Sequence, residues 1–338
     1  MKNFSFFSFC LVVALCAIGA VDSFGQVFRL YNADASQFPK VTGYYYAKSF
    51  IGEPVANIAA TDFVVTDNGK VVDPSKVSLN CSLLEFDIQS SIILLTDFTG
   101  SMNETVSGTE LRKDWILNGI RKFMDSVKLA DGGSIMIVPF SNSLLPNSGW
   151  QTTKDGIANW MQYYLPPFQG LTNFNPPFLE ETNNVIDLMN TRPMNQQRVV
   201  IMVTDGYHEH KSTFFRDSIT KKLQDANIIL YVIAVQPPVT ADQTLSDLYD
   251  IATRTGGRAV EVLTKADVVK QYCKVVYELQ HRKNHCRLEW TSTVECGAES
   301  INHNISVIFK KDFTDTSNTT YTAPATAYAA IASDKTSL

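Results

Sequence analysis

The stretch from Ser91 to Met102 has the residue types and spacing in this chain that are best suited to chemistry. Ile92 to Thr96 form a short apolar run with β-branched members, which predicts a strand buried on both faces. Asp97, Thr99 and Ser101 follow at alternate positions, so their side chains point to one side of an extended turn. One carboxylate and two hydroxyls are then expected just past the carboxyl end of a strand, where open α/β sheets bind ligands. Oxygen ligands of this kind suit a hard cation, Mg²⁺ first and Mn²⁺ or Ca²⁺ next.

The D-x-[ST]-x-S pattern from Asp97 to Ser101 resembles the metal-ion-dependent adhesion site of von Willebrand factor type A domains, which integrin I domains share. That family completes the site with a distant threonine and a distant aspartate. Thr172, in a Gly-x-Thr-Asn loop, and Asp205, which ends an apolar strand before Gly206, match these positions. The resemblance covers roughly residues 89 to 279, and Thr99 stands where serine is commoner. It implies a metal site made of Asp97, Thr99, Ser101, Thr172 and Asp205. Taken singly, an aspartate at a strand end is often only a helix N-cap.

The resemblance also implies how such a site binds a partner. The aspartates of the family often act through bound water, and the hydroxyl ligands leave the dication under-neutralised with one octahedral position open. The expected partner is therefore a protein ligand that presents an acidic residue to the metal. The neighbours of the five residues in sequence are predicted to form the rim that contacts this partner: Phe98, Met102, Asn103, Glu104, Asn173, Phe174, Tyr207 and His208.

Two other functions compete with metal-dependent adhesion. A type A domain can act as a structural module that assembles with other surface proteins without metal. A metal can also activate water for hydrolysis, with Glu104, His208, Glu209 or His210 as the general base. The His208–His210 spacing is not the H-E-x-x-H pattern of a zinc helix, and no nucleophile triad or P-loop motif is present. We therefore expect a binding protein and not an enzyme.

Composition and the first residues indicate the broad class of protein. The chain has 338 residues, 45% hydrophobic and 19% charged, with a net charge of −5, which predicts folded domains and no nucleic-acid surface. Residues 1–25 read as a secretory signal that is cleaved before Gln26, because a basic start precedes an apolar stretch and small residues. A lipid attachment at Cys16 is disfavoured by Leu15 before it. No other long apolar run occurs, so we expect a secreted or cell-surface chain without a membrane span.

Four cysteines remain after the predicted signal, enough for two disulfides with three possible connectivities. Cys286 and Cys296 flank a strand-turn-strand pattern and are the first predicted pair. Cys273 lies on an apolar helix face, so it is either in a disulfide or a buried free thiol. Cys81 has no assigned partner.

Residues 89–282 alternate between strand and helix patterns, which predicts a doubly wound, mostly parallel, Rossmann-like sheet. The flanking segments 26–88 and 283–325 read as β-strands, and residues 326–338 as a linker or frayed tail. Each β segment is short for a sandwich of roughly 100 residues. We therefore expect one all-β, Ig-like sandwich into which the type A domain is inserted, an arrangement similar to the hybrid domain of integrin β subunits. Two independent β pieces are the alternative.

Overall fold

The computed structural model describes residues 26–49, 55–80, 89–129, 132–180, 182–208, 215–237, 242–280, 286–292 and 302–324. Several predictions from the sequence lie outside these residues: the signal segment 1–25, the tail 326–338, and Cys81, Glu209, His210 and Cys296. Among the described residues, no helix is both long enough and apolar enough to cross a membrane.

The secondary structure is numbered in chain order. The strands are β1 (Val27–Gln37), β2 (Lys40–Lys48), β3 (Phe63–Asp67), β4 (Lys70–Val71), β5 (Val77–Asn80), β6 (Ser90–Asp97), β7 (Thr105–Ser107), β8 (Glu110–Leu111), β9 (Ser134–Phe140), β10 (Gln197–Thr204), β11 (Ile228–Val235), β12 (Ala259–Val262), β13 (Cys286–Thr291), β14 (Asn302–Lys310) and β15 (Thr314–Thr322). The α-helices are α1 (Arg112–Ser126), α2 (Lys154–Tyr163), α3 (Pro176–Leu179), α4 (Val185–Asn190), α5 (Arg216–Asp225), α6 (Asp242–Arg254) and α7 (Lys265–Gln280).

A five-stranded parallel sheet in the order β12-β11-β10-β6-β9 forms the centre of the α/β part. Every residue of β6 is buried, and successive side chains enter different cores. Ile92 and Leu94 pack with α1, α2 and α7, whereas Ile93 and Leu95 pack with α3 to α6. Helices therefore cover both faces of the sheet, which is why its strands read as continuous apolar runs. This confirms the predicted mixed α/β fold with a parallel sheet.

Strands from both sides of the α/β part combine in two antiparallel sheets. One has the order β1-β2-β13-β5, and the other has the order β15-β14-β3-β4. Leu288 of β13 pairs with Gly43 of β2, and Val307 of β14 pairs with Val65 of β3. The two sheets share one apolar core that includes Phe28 and residues from both segments. The segments before residue 89 and after residue 285 therefore build one unit.

The β unit contacts the amino-terminal edge of the parallel sheet. Asn227, just before β11, donates its side-chain amide to Leu30 O at 3.1 Å, and Asn32 N–H donates to Asn195 O. Tyr31 and Tyr46 join the apolar core beneath α1 and α7. Because all these contacts lie at the start of the parallel strands, the carboxyl edge of the sheet is left on the opposite side of the molecule.

Some elements differ from the sequence-based expectations. Apolar residues recur at helical spacing from Thr109 onward, but the helix α1 begins at Arg112, because residues 105–111 form the β7–β8 hairpin. The sequence from 177 to 189 has the pattern of one helix, but two helices form, α3 and α4, since the Asn184 side chain caps α4 by accepting from Ile186 N and Asp187 N. The hydroxyl-rich stretch before Tyr321 forms the long strand β15, whose Ser317, Thr319 and Tyr321 are buried at alternate positions.

Of the four cysteines that follow the predicted signal, the structure describes Cys273 and Cys286. The sequence left open whether Cys273 is in a disulfide or is a buried free thiol; it is a free thiol, and it is partly exposed. Cys286 is disulfide-bonded, and its partner lies outside the described residues. The predicted Cys286–Cys296 bond therefore stays a prediction.

Candidate metal centre

The carboxyl end of β6 places the first three candidate ligands. Asp97 ends the strand, and Thr99 N–H folds back to donate to Asp97 Oδ1 at 3.0 Å. A short 3₁₀ turn begins at Gly100 and brings Ser101 Oγ to 3.1 Å from Thr99 Oγ1. Asp97 and Thr99 are fully buried, whereas Ser101 is partly exposed. Alternation along an extended turn therefore puts one carboxylate and two hydroxyls together, as the spacing predicts.

The loop before α3 adds the distant threonine. Gly170 has a φ of 87°, a conformation that favours glycine, and its carbonyl accepts from Gly100 N–H at 3.0 Å. This hydrogen bond joins the two loops. Thr172, two residues further on, is fully buried and donates from Oγ1 to Thr99 Oγ1 at 3.2 Å.

The distant aspartate, Asp205, directly follows the neighbouring strand, β10. β10 lies next to β6 in parallel register, with Val203 opposite Thr96. Thr204 Oγ1 donates to Asp97 Oδ2 at 2.7 Å, and Asp205, directly after it, is 2% exposed. The structure thus brings Asp97, Thr99, Ser101, Thr172 and Asp205 to one edge of the sheet.

Two buried carboxylates in one cluster disfavour their own ionisation. The pKa of Asp97 is raised to about 7, mainly because burial penalises its charged form and then because Asp205 is close. Hydrogen bonds from Thr204 and Thr99 act in the opposite direction. The cluster therefore favours the addition of positive charge, either as protons or as a cation.

The donor set fits a hard dication. All five side chains offer oxygen, and the two carboxylates provide the charge that Mg²⁺ or Mn²⁺ requires. The part of the chain that the structure describes holds no group of three or more His, Cys, Asp or Glu side chains that could bind a metal. A metal at this cluster would therefore depend on the hydroxyls of Thr99, Ser101 and Thr172 as well as on its two acids.

Two residues at the cluster were missed by the sequence reasoning. Thr204 is one, although its place directly before Asp205 was a usable signal. Arg112 is the other: its Nη1 lies 3.4 Å from Asp205 Oδ2 and donates to Ser101 O at 2.7 Å. Nothing in the sequence pointed to Arg112, because only the β7–β8 hairpin returns the chain to the site.

The predicted rim is partly wrong. Asn103, Glu104 and Tyr207 are exposed and His208 is partly exposed, so these four side chains reach the surface. Phe98, Met102 and Phe174 are fully buried, and Asn173 is 8% exposed. Phe98 stacks on Phe168 with ring centroids 4.0 Å apart, and Phe174 packs on Phe140. These apolar rings support the loops and do not face a partner. Leu171, half exposed in the threonine loop, is an unpredicted member of the rim.

No protein-family model matches the chain, and no curated protein matches it either. Among solved structures, the chain is similar to the PilB minor pilin of Streptococcus sanguinis, with 12% identity, a TM-score of 0.44, and coverage of 76% of this chain and 79% of that one. It is similar to proximal thread matrix protein 1 from the mussel byssus with a zinc-occupied MIDAS motif, with 16% identity, a TM-score of 0.43, and coverage of 63% and 50%. It is also similar to an aerotolerance-related membrane protein of Bacteroides fragilis, with 11% identity, a TM-score of 0.41, and coverage of 56% and 98%. Because the identities are low and the TM-scores lie below 0.5, these similarities carry no argument about function. The parallel sheet itself is compatible with the type A-like fold that the motif resemblance implies.

Proposed function

We propose that this chain is a secreted or cell-surface binding protein that engages a partner through a metal ion at the Asp97 cluster. Mg²⁺ is the expected ion, with Mn²⁺ or Ca²⁺ as alternatives. The metal would supply a positive charge with one ligand position left for a partner. The partner is expected to be a protein that offers a carboxylate from an aspartate or glutamate.

The observation that carries this proposal is the convergence of five oxygen-bearing side chains at the carboxyl edge of the parallel sheet. Three separate loops deliver them, and hydrogen bonds join Asp97, Thr99, Ser101 and Thr172 in one network. Burial and the nearby Asp205 raise the pKa of Asp97, so a cation bound at the cluster would stabilise its ionised form. The β unit contacts the opposite edge of the sheet, and among the described residues it does not cover the edge that carries the cluster.

The surface around the cluster suits a protein partner. Leu171 and Tyr207 are exposed apolar side chains on two of the three loops, at 50% and 37% exposure. Asn103 and Glu104 add polar groups on the third loop. A carboxylate bound at the metal would therefore be flanked by apolar and hydrogen-bonding contacts, which is the composition of a small interface.

The test is direct metal binding, measured by calorimetry with Mg²⁺ and by electron paramagnetic resonance with Mn²⁺. Thr172→Ala should weaken binding at least tenfold, because it removes one hydroxyl ligand without changing charge. Thr152→Ala, an exposed threonine before α2, is the matched control and should leave binding unchanged. Wild-type protein that binds neither ion would contradict the proposal.

Metal-independent assembly is the second candidate. Capture of a surface partner that persists in EDTA, together with loss of that capture on changing Tyr207 or Leu171 to serine, would favour it. Hydrolysis has less support. Glu104 lies 3.3 Å from Arg112 Nη1, and His208 Nδ1 accepts from Phe174 N at 3.2 Å, so the two described candidates for a general base already have partners.

A further inference from the structure

Arg112 is a buried cation at the edge of the candidate metal centre. It is the first residue of α1, and its side chain is 8% exposed. Its Nη1 lies 3.4 Å from Asp205 Oδ2 and 3.3 Å from Glu104 Oε2. Asp205 is buried whereas the Glu104 side chain is 66% exposed, so solvent screens the second pair far more than the first.

The backbone holds the guanidinium in this place. Nη1 donates to Ser101 O at 2.7 Å, and Nη2 donates to Gln236 O at 3.4 Å. Gln236 has a φ of 45°, which is unfavourable for a residue with a side chain, and it follows β11 at the same edge of the sheet. Two loops that border the centre thus present carbonyls to Arg112.

Hydrogen bonding alone does not explain why Arg112 is buried at this position. Arg112 Nε is buried and has no hydrogen-bond partner among the described residues, an arrangement that disfavours burial of an arginine for stability. At this position Arg112 places a fixed positive charge beside Asp205, one of the two acids of the cluster. That charge acts on every ion that enters the centre, because buried charges are poorly screened.

We propose that Arg112 is a resident cation that sets the ligand preference of the metal centre: it weakens binding of the dication and strengthens binding of the partner's carboxylate to the loaded centre. This inference rests on the proposed function. A metal and Arg112 are both attracted by Asp205 and repel each other. Once the metal is bound, both attract an incoming anion. Arg112 is thus a positioning and charge-setting residue, and its removal should change the two affinities in opposite directions.

The test measures both affinities in Arg112→Gln. Mn²⁺ binding is followed by electron paramagnetic resonance of the free ion. Anion binding is followed by the loss of water-proton relaxation when acetate displaces water from bound Mn²⁺. Arg112→Gln should bind Mn²⁺ several-fold more tightly, up to about tenfold, and acetate several-fold more weakly. Arg112→Lys keeps the charge and should change both affinities much less.

The outcomes separate the possible roles. Weakening of both affinities in Arg112→Gln, or equal changes in the Gln and Lys variants, would show that Arg112 only supports the loop, and the inference would be wrong. Arg254→Gln, which removes the same charge at the far end of α6, should change neither affinity. Failure of both wild type and Arg112→Gln to bind Mn²⁺ would overturn the proposed function and the inference together. Binding of Mn²⁺ by Arg112→Gln but not by wild type would overturn the proposed function, because the native chain would then hold no metal, and the inference that rests on it would be wrong as well.

Discussion

Asp97 is a fully buried carboxylate with a second acid, Asp205, beside it, at the end of the interior strand β6. Thr204 and Thr99 donate hydrogen bonds to its two oxygens, yet its pKa remains raised, to about 7. The proton therefore binds more tightly in the folded chain than in the unfolded chain, where an aspartate has its ordinary value near 3.9. The free energy of unfolding in the absence of metal is linked to pH through this one group.

The first prediction concerns this linkage. In EDTA, the stabilising contribution of protonated Asp97 is fully present below about pH 4 and is lost as pH rises to about 7. The loss has an upper bound of about 4 kcal/mol. Asp97→Asn should flatten this part of the profile and should be more stable than wild type at pH 8 in EDTA. Urea unfolding across pH 4 to 8 measures it.

The exposed Asp225→Asn variant is the control for this experiment, because it removes a carboxylate of a surface pair far from the centre. Saturating Mg²⁺ should stabilise wild type at pH 8 but not Asp97→Asn. If the free energy of unfolding of wild type in EDTA does not fall between pH 4 and pH 7, the pKa of Asp97 is not raised as described.

Asp97, Thr99 and Ser101 could be placed together from the sequence because their spacing follows the geometry of an extended turn, whereas Thr172 and Asp205 were expected only from the family resemblance. The same geometry shows why the predicted rim was partly wrong. If Asp97 and Thr99 point to the cluster, Phe98 between them must point away, and it packs on Phe168. Arg112 could not be predicted, because its approach depends on a hairpin of only a few paired residues. Neighbours in sequence are therefore a poor guide to neighbours at the site.

Four polar side chains form a buried cluster between the elements of the β unit. Asp67 ends β3, His303 lies on β14, Tyr321 lies on β15, and Ser292 follows β13. His303 Nδ1 is 2.6 Å from Asp67 Oδ1, and Tyr321 OH donates to Asp67 Oδ2 at 2.7 Å. Tyr321 OH also lies 3.1 Å from Ser292 Oγ. The cluster joins both antiparallel sheets, since β13 belongs to one of them and the other three strands to the second.

The second prediction tests this cluster. Tyr321→Phe should lower the free energy of unfolding by about 1–3 kcal/mol, because it leaves a buried carboxylate oxygen without its tyrosine donor. Asp67→Ala should cost more than Tyr321→Phe, because it removes the acceptor shared by His303 and Tyr321. Tyr163→Phe is the control and should fall within about 0.5 kcal/mol of wild type, since Tyr163 is 68% exposed. A Tyr321→Phe chain as stable as the control would contradict a stabilising role.

The third prediction concerns the disulfide of Cys286. Asn80 at the end of β5 pairs with Arg287 in an antiparallel ladder, and the next residue of each strand in that direction is a cysteine, Cys81 or Cys286. This register favours a Cys81–Cys286 bond across the two strands. Peptide mapping without reduction should recover that pair. Recovery of Cys286 joined to Cys296 would instead support the pairing predicted from the sequence alone.

The elements were predicted best where their pattern is long and regular. In β6, β9 and β11, burial on both faces leaves a continuous apolar run. In α1 and α7, burial on one face leaves apolar residues at helical spacing. β15 has no clear apolar alternation in the sequence, since its buried positions are serine and threonine as well as tyrosine. Its hydroxyls form hydrogen bonds to residues distant in sequence, for example where Leu30 N–H donates to Ser317 Oγ at 2.9 Å. Polar burial of this kind leaves no apolar pattern to detect.

At the scale of the molecule, the β unit and the candidate metal centre lie at opposite edges of one sheet. Asn195 and Asn227, at the starts of β10 and β11, contact β1, whereas the centre lies where β6 and β10 end. The α/β part has its own two apolar cores, and only a few β-unit residues join one of them. The parts are thus joined but have separate cores.

The fourth prediction follows from this arrangement. A fragment of residues 89–280 should fold and bind Mn²⁺ about as tightly as the whole chain, because it contains the parallel sheet, its helices and the complete cluster. A fragment of residues 26–80 should remain unfolded, because β2 and β3 lack their partners β13 and β14. Circular dichroism and nuclear magnetic resonance measure both. A folded 26–80 fragment would contradict the shared core.

The split of the β unit across the chain also has a consequence in time. During synthesis, β1 to β5 leave the ribosome before the residues from 81 to 285 that separate them from β13. At about 5–20 residues per second, they wait on the order of 10–40 seconds for their partners. Over that interval β2, β3 and β5 expose unpaired edges that can join other chains. The α/β part can finish folding meanwhile, so the strands made first are the last to find their partners.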